Sequence, residues 1–126
     1  MATPGKSVLL DTSVVVRHFR DGNSLVSRLA AFEELYLPQA ALAELYAGAY
    51  RSARPEKNLQ QIRRFIEAVE VLLPDEFTPE FYGRISAQLA RAGTPIPQND
   101  IWVAAIALQF DLPLATADPT SNVSPA

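Results

Sequence analysis

Apolar runs of strand length recur along the chain, and the intervals between them are spaced for helices. The first run, Ser7-Val8-Leu9-Leu10, ends at Asp11. It reads as a strand covered on both faces, because a buried parallel strand is apolar at every position. Residues 12–19 read as a helix that Asp11 or Thr12 could cap. A turn at Asp21-Gly22-Asn23 leads into a second short helix through Phe32, and Leu35-Tyr36-Leu37 before Pro38 is the next strand. The Ala- and Leu-rich stretch 39–52 is helical. Pro55 opens another helix, where proline is tolerated in the first turn. Leu59, Ile62, Phe65, Ile66 and Val69 give that helix an apolar stripe. Val71-Leu72-Leu73 is a third strand, ended by Pro74. Thr78 reads as the cap of a helix that stops at Gly93. After a loop marked by Pro95 and Pro97, Asn99 or Asp100 caps a nearly all-apolar helix over 101–110, which should be deeply buried. Residues 112–116 form a short fourth strand that leads to Asp118.

Alternating strands and helices predict an α/β fold layered around a mainly parallel sheet. The chain of 126 residues is the size of one domain, with residues 1–6 expected as a flexible leader and 119–126 as a loose, polar tail. No internal repeat and no second domain are visible. No apolar run approaches the ~20 residues that span a bilayer, and no secretory signal is read at the N-terminus. A cytoplasmic protein without a membrane partner is therefore expected.

Composition narrows the chemistry. With no cysteine, disulfides, thiolate catalysis and thiolate zinc sites are excluded. A single histidine, His18, argues against histidine-rich metal sites and a Ser/His/Asp triad, and it is expected on a helix surface. There is no G-x-S-x-G elbow and no G-x-G-x-x-G loop. A phosphoacceptor domain wants a paired acid after the first strand and a lysine near the end, whereas Lys6 and Lys57 are the only lysines. Chemistry must rest on carboxylates, hydroxyls and amides, with or without a bound metal. The net charge of −3 gives no global argument for a nucleic-acid partner.

Ligands of such sheets bind beyond the carboxyl ends of the strands. Asp11 and Asp118 occupy two such ends, Asp100 stands at the start of the buried helix, and Glu44 lies among small and apolar neighbours. Each has a plain reading taken alone. Asp11 and Asp100 could be caps or first-turn acids, Asp118 before Pro119 a turn, and Glu44 the partner of a nearby arginine. If the four converge, like charges ~4 Å apart repel by about 4 kcal/mol at an effective dielectric of 20, so protons or cations must neutralise them. Hard oxygen ligands favour Mg²⁺ or Mn²⁺, and a carboxylate-held divalent ion suits phosphoryl chemistry. Trp102 reads as core rather than as a base-stacking platform, and the faces carrying Phe65, Phe81 and Tyr82 as core before dimer surface.

These residues resemble a known family. Val8-Leu9-Leu10-Asp11-Thr12-Ser13-Val14 resembles the opening motif of PIN domains, and Ala43-Glu44-Leu45-Tyr46-Ala47-Gly48 resembles the second. The stretch from Pro95 through Asn99-Asp100-Ile101-Trp102-Val103-Ala104-Ala105 to Ala107 resembles the third, and Leu114-Ala115-Thr116-Ala117-Asp118 the fourth. All four stand in order across nearly the whole chain, and the third points to the VapC-like branch. The resemblance implies a three-layer α/β/α fold with Asp11, Glu44, Asp100 and Asp118 in one pocket. It implies a Mg²⁺- or Mn²⁺-dependent endoribonuclease, toxin of a toxin–antitoxin pair, cleaving RNA with a metal-activated water. In that scheme Asp11, Glu44 and Asp100 hold the metal and Asp118 supports them. Ser13 and Thr116 would hydrogen-bond the acids or a water on the metal, and Thr12 is not expected to. A cognate VapB-like antitoxin and a homodimer are implied as partners.

The chain departs from the family after Asp118, where a hydrophobic residue, a glycine and a final short strand commonly follow. Here Pro119-Thr120-Ser121-Asn122-Val123 leads to the end, so that strand is expected to be missing or replaced. This departure supports an alternative, a non-catalytic, degenerate PIN-like module that binds a protein. Basic residues cluster as Arg51, Arg54 and Lys57 at the link after the Glu44 helix, and as Arg17 and Arg20 just after Asp11. They are candidates for RNA phosphate or antitoxin contacts. Arg63 and Arg64 read as a solvated face, with Glu56 and Glu67 as partners.

Overall fold

The computed structural model describes residues 7–22 and 34–117. Four strands and five helices are described in the order β1 (Ser7–Leu10), α1 (Thr12–Arg20), β2 (Glu34–Pro38), α2 (Gln39–Arg51), α3 (Pro55–Ile66), β3 (Glu70–Leu72), α4 (Thr78–Ala92), α5 (Gln98–Gln109) and β4 (Leu114–Ala115). The sheet order is β3-β2-β1-β4 and every described pairing is parallel. The chain steps outward from β1 to β2 and β3, then returns to the other side of β1 as β4. The order therefore reverses between β1 and β4, and that switch point is where such sheets place ligands. Among the described residues, no helix is long and apolar enough to cross a membrane.

Strand periodicity divides the core in two. Val8 and Leu10 of β1 join Leu37, Val14 and Val15 of α1, Leu45 of α2 and Leu59, Ile62 and Phe65 of α3 on one face. Leu9, between them in sequence, joins Val103, Ile106 and Ala107 of α5 and Leu112 on the other. Helix α4 packs on α5, outside this second layer. Leu9, Leu10 and Leu37 have no exposed surface, and truncating any of them to alanine should cost about 2–5 kcal/mol. The outcome is the expected α/β/α sandwich. Helix α5 carries six buried residues in its twelve, as its all-apolar sequence requires.

Several local expectations are corrected. His18 is 5% exposed rather than on a surface, its ring lying 5.5 Å from that of Phe65 and 5.7 Å from that of Phe19. It falls on the stripe Val14, Val15, His18, the buried side of α1. Thr78 does not cap α4; it is the first helical residue, and Phe77 precedes it as cap without a side-chain bond. The Thr78 hydroxyl is buried and donates instead to Gln109 Oε1 at 2.6 Å. Neither Asn99 nor Asp100 caps α5, which begins at Gln98 with Pro97 as cap, so both lie inside its first turn. Strand β3 is set one residue earlier than its apolar run, through the pairs Tyr36–Glu70, Leu37–Val71 and Pro38–Leu72, and Leu73 is left exposed. Strand β4 is only two residues long. Gly93 ends α4 with φ 71°, the left-handed conformation that favours glycine. Trp102 packs as expected, half-buried with its ring 4.4 Å from that of Tyr82 on α4. The second short helix through Phe32, the leader 1–6, Asp118 and the tail 119–126 lie outside the described residues.

Candidate active site

The site grows from the end of β1. The backbone N–H of Asp11 donates to Ala115 O at 3.0 Å, so the pairing with β4 runs up to the acid. Asp11 keeps an extended backbone and caps α1, its Oδ1 accepting from Thr12 N at 2.8 Å. The next two residues then face different partners. Ser13 Oγ lies 3.5 Å from Asp11 Oδ2 and 3.1 Å from Thr116 Oγ1, while Thr116 Oγ1 lies 3.4 Å from the same Oδ2. Ser13 Oγ also accepts from Ala117 N at 3.1 Å. Ser13 and Thr116 thus stitch the end of β1 to the end of β4. The contacts to Oδ2 sit at the long limit for O–H···O bonds, so that oxygen is only loosely held.

Thr12 draws in the second acid. Its Oγ1 donates to Glu44 Oε1 at 2.9 Å, although 32 residues separate them. This corrects the expectation that Thr12 stands aside. Its place directly after Asp11, at the first turn of α1, was the available signal. Helix α2 packs on both α1 and α5, and the Thr12 bond holds Glu44 beside the start of α1. No ion pair of Glu44 is present among the described residues, so the arginine-partner reading is not met there.

Asp100 stands half-buried in the first turn of α5, with its backbone N–H donating to Pro97 O at 3.0 Å. Among the described residues, Asp11 and Glu44 are joined through Thr12, and no three carboxylate or imidazole side chains converge as a ready metal site. Asp118 is outside that set. The donors that do meet here are all carboxylate and hydroxyl oxygens, which is the chemistry of a hard divalent cation. His18 does not join them; burial lowers its pKa below the ordinary histidine value.

Cations flank the acids. Arg17 and Arg20 line a cleft of about 400 Å³ together with Ser13, Val16 and Ala117. Arg17 also lies 3.9 Å from Asp21, a pair exposed enough to contribute little. Arg51, Arg54 and Lys57 are exposed around the α2–α3 link, and among the described residues neither they nor Arg63 and Arg64 form an ion pair.

Residues 8–120 match the PIN domain. The chain is 31% identical to ribonuclease VapC1 of Haemophilus influenzae over 112 residues, covering 86% of this chain and 84% of that one. It is 29% identical to the tRNA(fMet)-specific endonuclease VapC of Shigella flexneri, over 86% of this chain and 83% of that one. The crystal structure of DNA-bound VapBC from Salmonella typhimurium superposes with a TM-score of 0.85 at 29% identity, over 91% of this chain and 89% of that chain. The chain belongs to the PIN-domain family and, within it, to the VapC ribonucleases.

Proposed function

We propose that this chain is an endoribonuclease that hydrolyses phosphodiester bonds at the Asp11–Glu44 mouth of the sheet, with Mg²⁺ or Mn²⁺ as cofactor. The observation that carries the reading is the bond from Thr12 to Glu44, which links a helix acid to the residue that directly follows the strand-end Asp11. Asp11, Glu44, Asp100 and Asp118 would hold the ion. Bound there, it would polarise a phosphodiester and make a water acidic enough to attack near neutral pH. The chain's own residues do the positioning. Ser13 and Thr116 restrain Asp11, Thr12 restrains Glu44, and Arg17 and Arg20 offer charge to the phosphates on either side. Arg51, Arg54 and Lys57 extend that positive edge toward a longer RNA or an acidic partner segment.

The same reading extends to partners. The chain acts in the cytoplasm as the toxin of a pair, a VapB-like antitoxin covers its cleft, and two copies assemble as a homodimer. The Salmonella VapBC complex supports the antitoxin. The test uses purified, antitoxin-free protein with total cellular RNA, in Mg²⁺, in Mn²⁺ and in EDTA, beside Asp11→Asn. Discrete cuts that vanish with EDTA and with the substitution are expected. A folded protein that cuts nothing under any condition would leave a partner-binding module as the better description.

A further inference from the structure

We infer that the groove between α1, α2 and α3 seats a nucleobase next to the scissile phosphate, and that Asn58 and Gln61 read its edge; the inference rests on the ribonuclease reading above. Val16, 38% exposed on α1, is shared by two clefts. On one side lies the arginine cleft of Ser13, Arg17 and Arg20. On the other lies a cleft of about 280 Å³ that includes Glu44 and is floored by apolar Leu45, Ala49 and Ile62. Asn58 and Gln61 of α3 line this second cleft.

The two halves differ in the way the two parts of a nucleotide differ. Guanidinium groups suit a phosphate. An apolar floor with carboxamides suits a flat base, since an amide carries donors and an acceptor and pairs in two-point fashion with base edges. Single-stranded RNA is read in this manner, with bases splayed out and bonded on their edges. Asn58 is braced in place, because its Nδ2 donates to Ser52 Oγ at 2.8 Å, and Ser52 Oγ donates to Ala49 O at 2.6 Å. Its carbonyl oxygen has no partner among the described residues, and neither has the Gln61 amide. An acidic peptide would satisfy the arginines but would meet Glu44 with like charge in the second cleft.

Gly48 adds an independent observation. It sits inside α2, one helical turn beyond Glu44, and lines the same cleft. A Cβ built there would meet nothing within 4 Å, so the chain's own packing does not require glycine. Glycine inside a helix is less stable than alanine. The bare backbone leaves the wall of the groove open to an occupant.

The experiment measures kcat/KM of the full chain in Mn²⁺ on an RNA oligonucleotide library, resolving base preference at each position around the cut. For Gln61→Ala and Asn58→Asp, preference at one position should fall about tenfold, the discrimination expected from one two-point base contact. Substrate abasic at that position should be cut equally by wild type and both variants, which a merely structural role would not produce. Gly48→Leu should raise KM with no fall in melting temperature. If wild type cuts RNA and all three variants keep its preferences and KM, the inference is overturned while the nuclease reading stands, and the groove belongs to a protein occupant. If wild type cuts no RNA, the nuclease reading fails and takes the inference with it.

Discussion

Asp11 and Asp75 each precede a helix and each meets a threonine hydroxyl, yet they are held in opposite ways. Asp75 Oδ1 accepts from Gln109 Nε2 and from Phe77 N, both at 2.8 Å. Thr78 Oγ1 accepts from Asp75 N at 2.9 Å and donates to Gln109 Oε1 at 2.6 Å. These short bonds tie the start of α4 to the end of α5, and the Gln109 amide, followed by the Phe77 N–H, pulls the Asp75 pKa below the ordinary value. At Asp11 only Oδ1 has a short donor, and Oδ2 meets two hydroxyls at 3.4 and 3.5 Å. Several short donors on an acid make a strut. One short donor and two long ones orient an acid while leaving an oxygen for a cation.

The largest expected effect tests the looser site. Asp11→Asn should lower RNA cleavage by about a hundredfold or more, the scale seen when a charge-stabilising group is removed from an active site. Its thermal melt should stay close to wild type, and a collapse of the fold would place Asp11 among the struts. Thr78→Val should do the reverse. It removes a buried hydroxyl and strands its partners, at about 1–3 kcal/mol of stability by denaturant titration. The activity of the folded fraction should be retained. Between these lies Thr12→Val, which frees Glu44 from its hydroxyl partner. A roughly tenfold fall in kcat with little change in stability is expected from a misplaced acid, and unchanged kcat would detach Thr12 from the site.

Two smaller effects appear as pH dependence. The pKa of His18 is lowered by burial, so the folded chain prefers the neutral ring. Stability is full above the unfolded value of about 6.5 and falls as pH drops below it toward the lowered folded value. Unfolding followed at stepped pH should show that slope, and His18→Phe should abolish it. Asp75 behaves as a lowered carboxylate. Its stabilising share is present above the unfolded value of 3.8 and is lost as pH falls through the folded one. In Asp75→Asn this acid-side loss should vanish while RNA cleavage is unchanged.

Much of the fold was legible because short-range rules set it. The apolar run at 7–10, the proline at 55 and the glycine at 93 marked a strand, a helix start and a helix stop where the structure has them. The shift of β3 was not legible, since its limits follow from pairing with Tyr36, Leu37 and Pro38 rather than from its own apolar content. The spacing of His18 with Val14 and Val15 fits a buried stripe, but a polar ring on a short helix gives no sign of which face is covered.

Among the described residues, the sequence by itself determined the alternation of strands and helices, a mainly parallel layering, and the placing of Asp11 at a strand end and Asp100 in the first turn of a helix. These depend on periodicity, capping and turn chemistry within a few residues. Tertiary structure alone decided which hydroxyl serves which acid or amide: Thr12 with Glu44 across 32 residues, Ser13 with Thr116 across 103, and Thr78 with Gln109 across 31. A hydrogen bond between side chains depends on separations of a few tenths of an ångström, and those are fixed by how helices pack on a sheet, which no local pattern encodes.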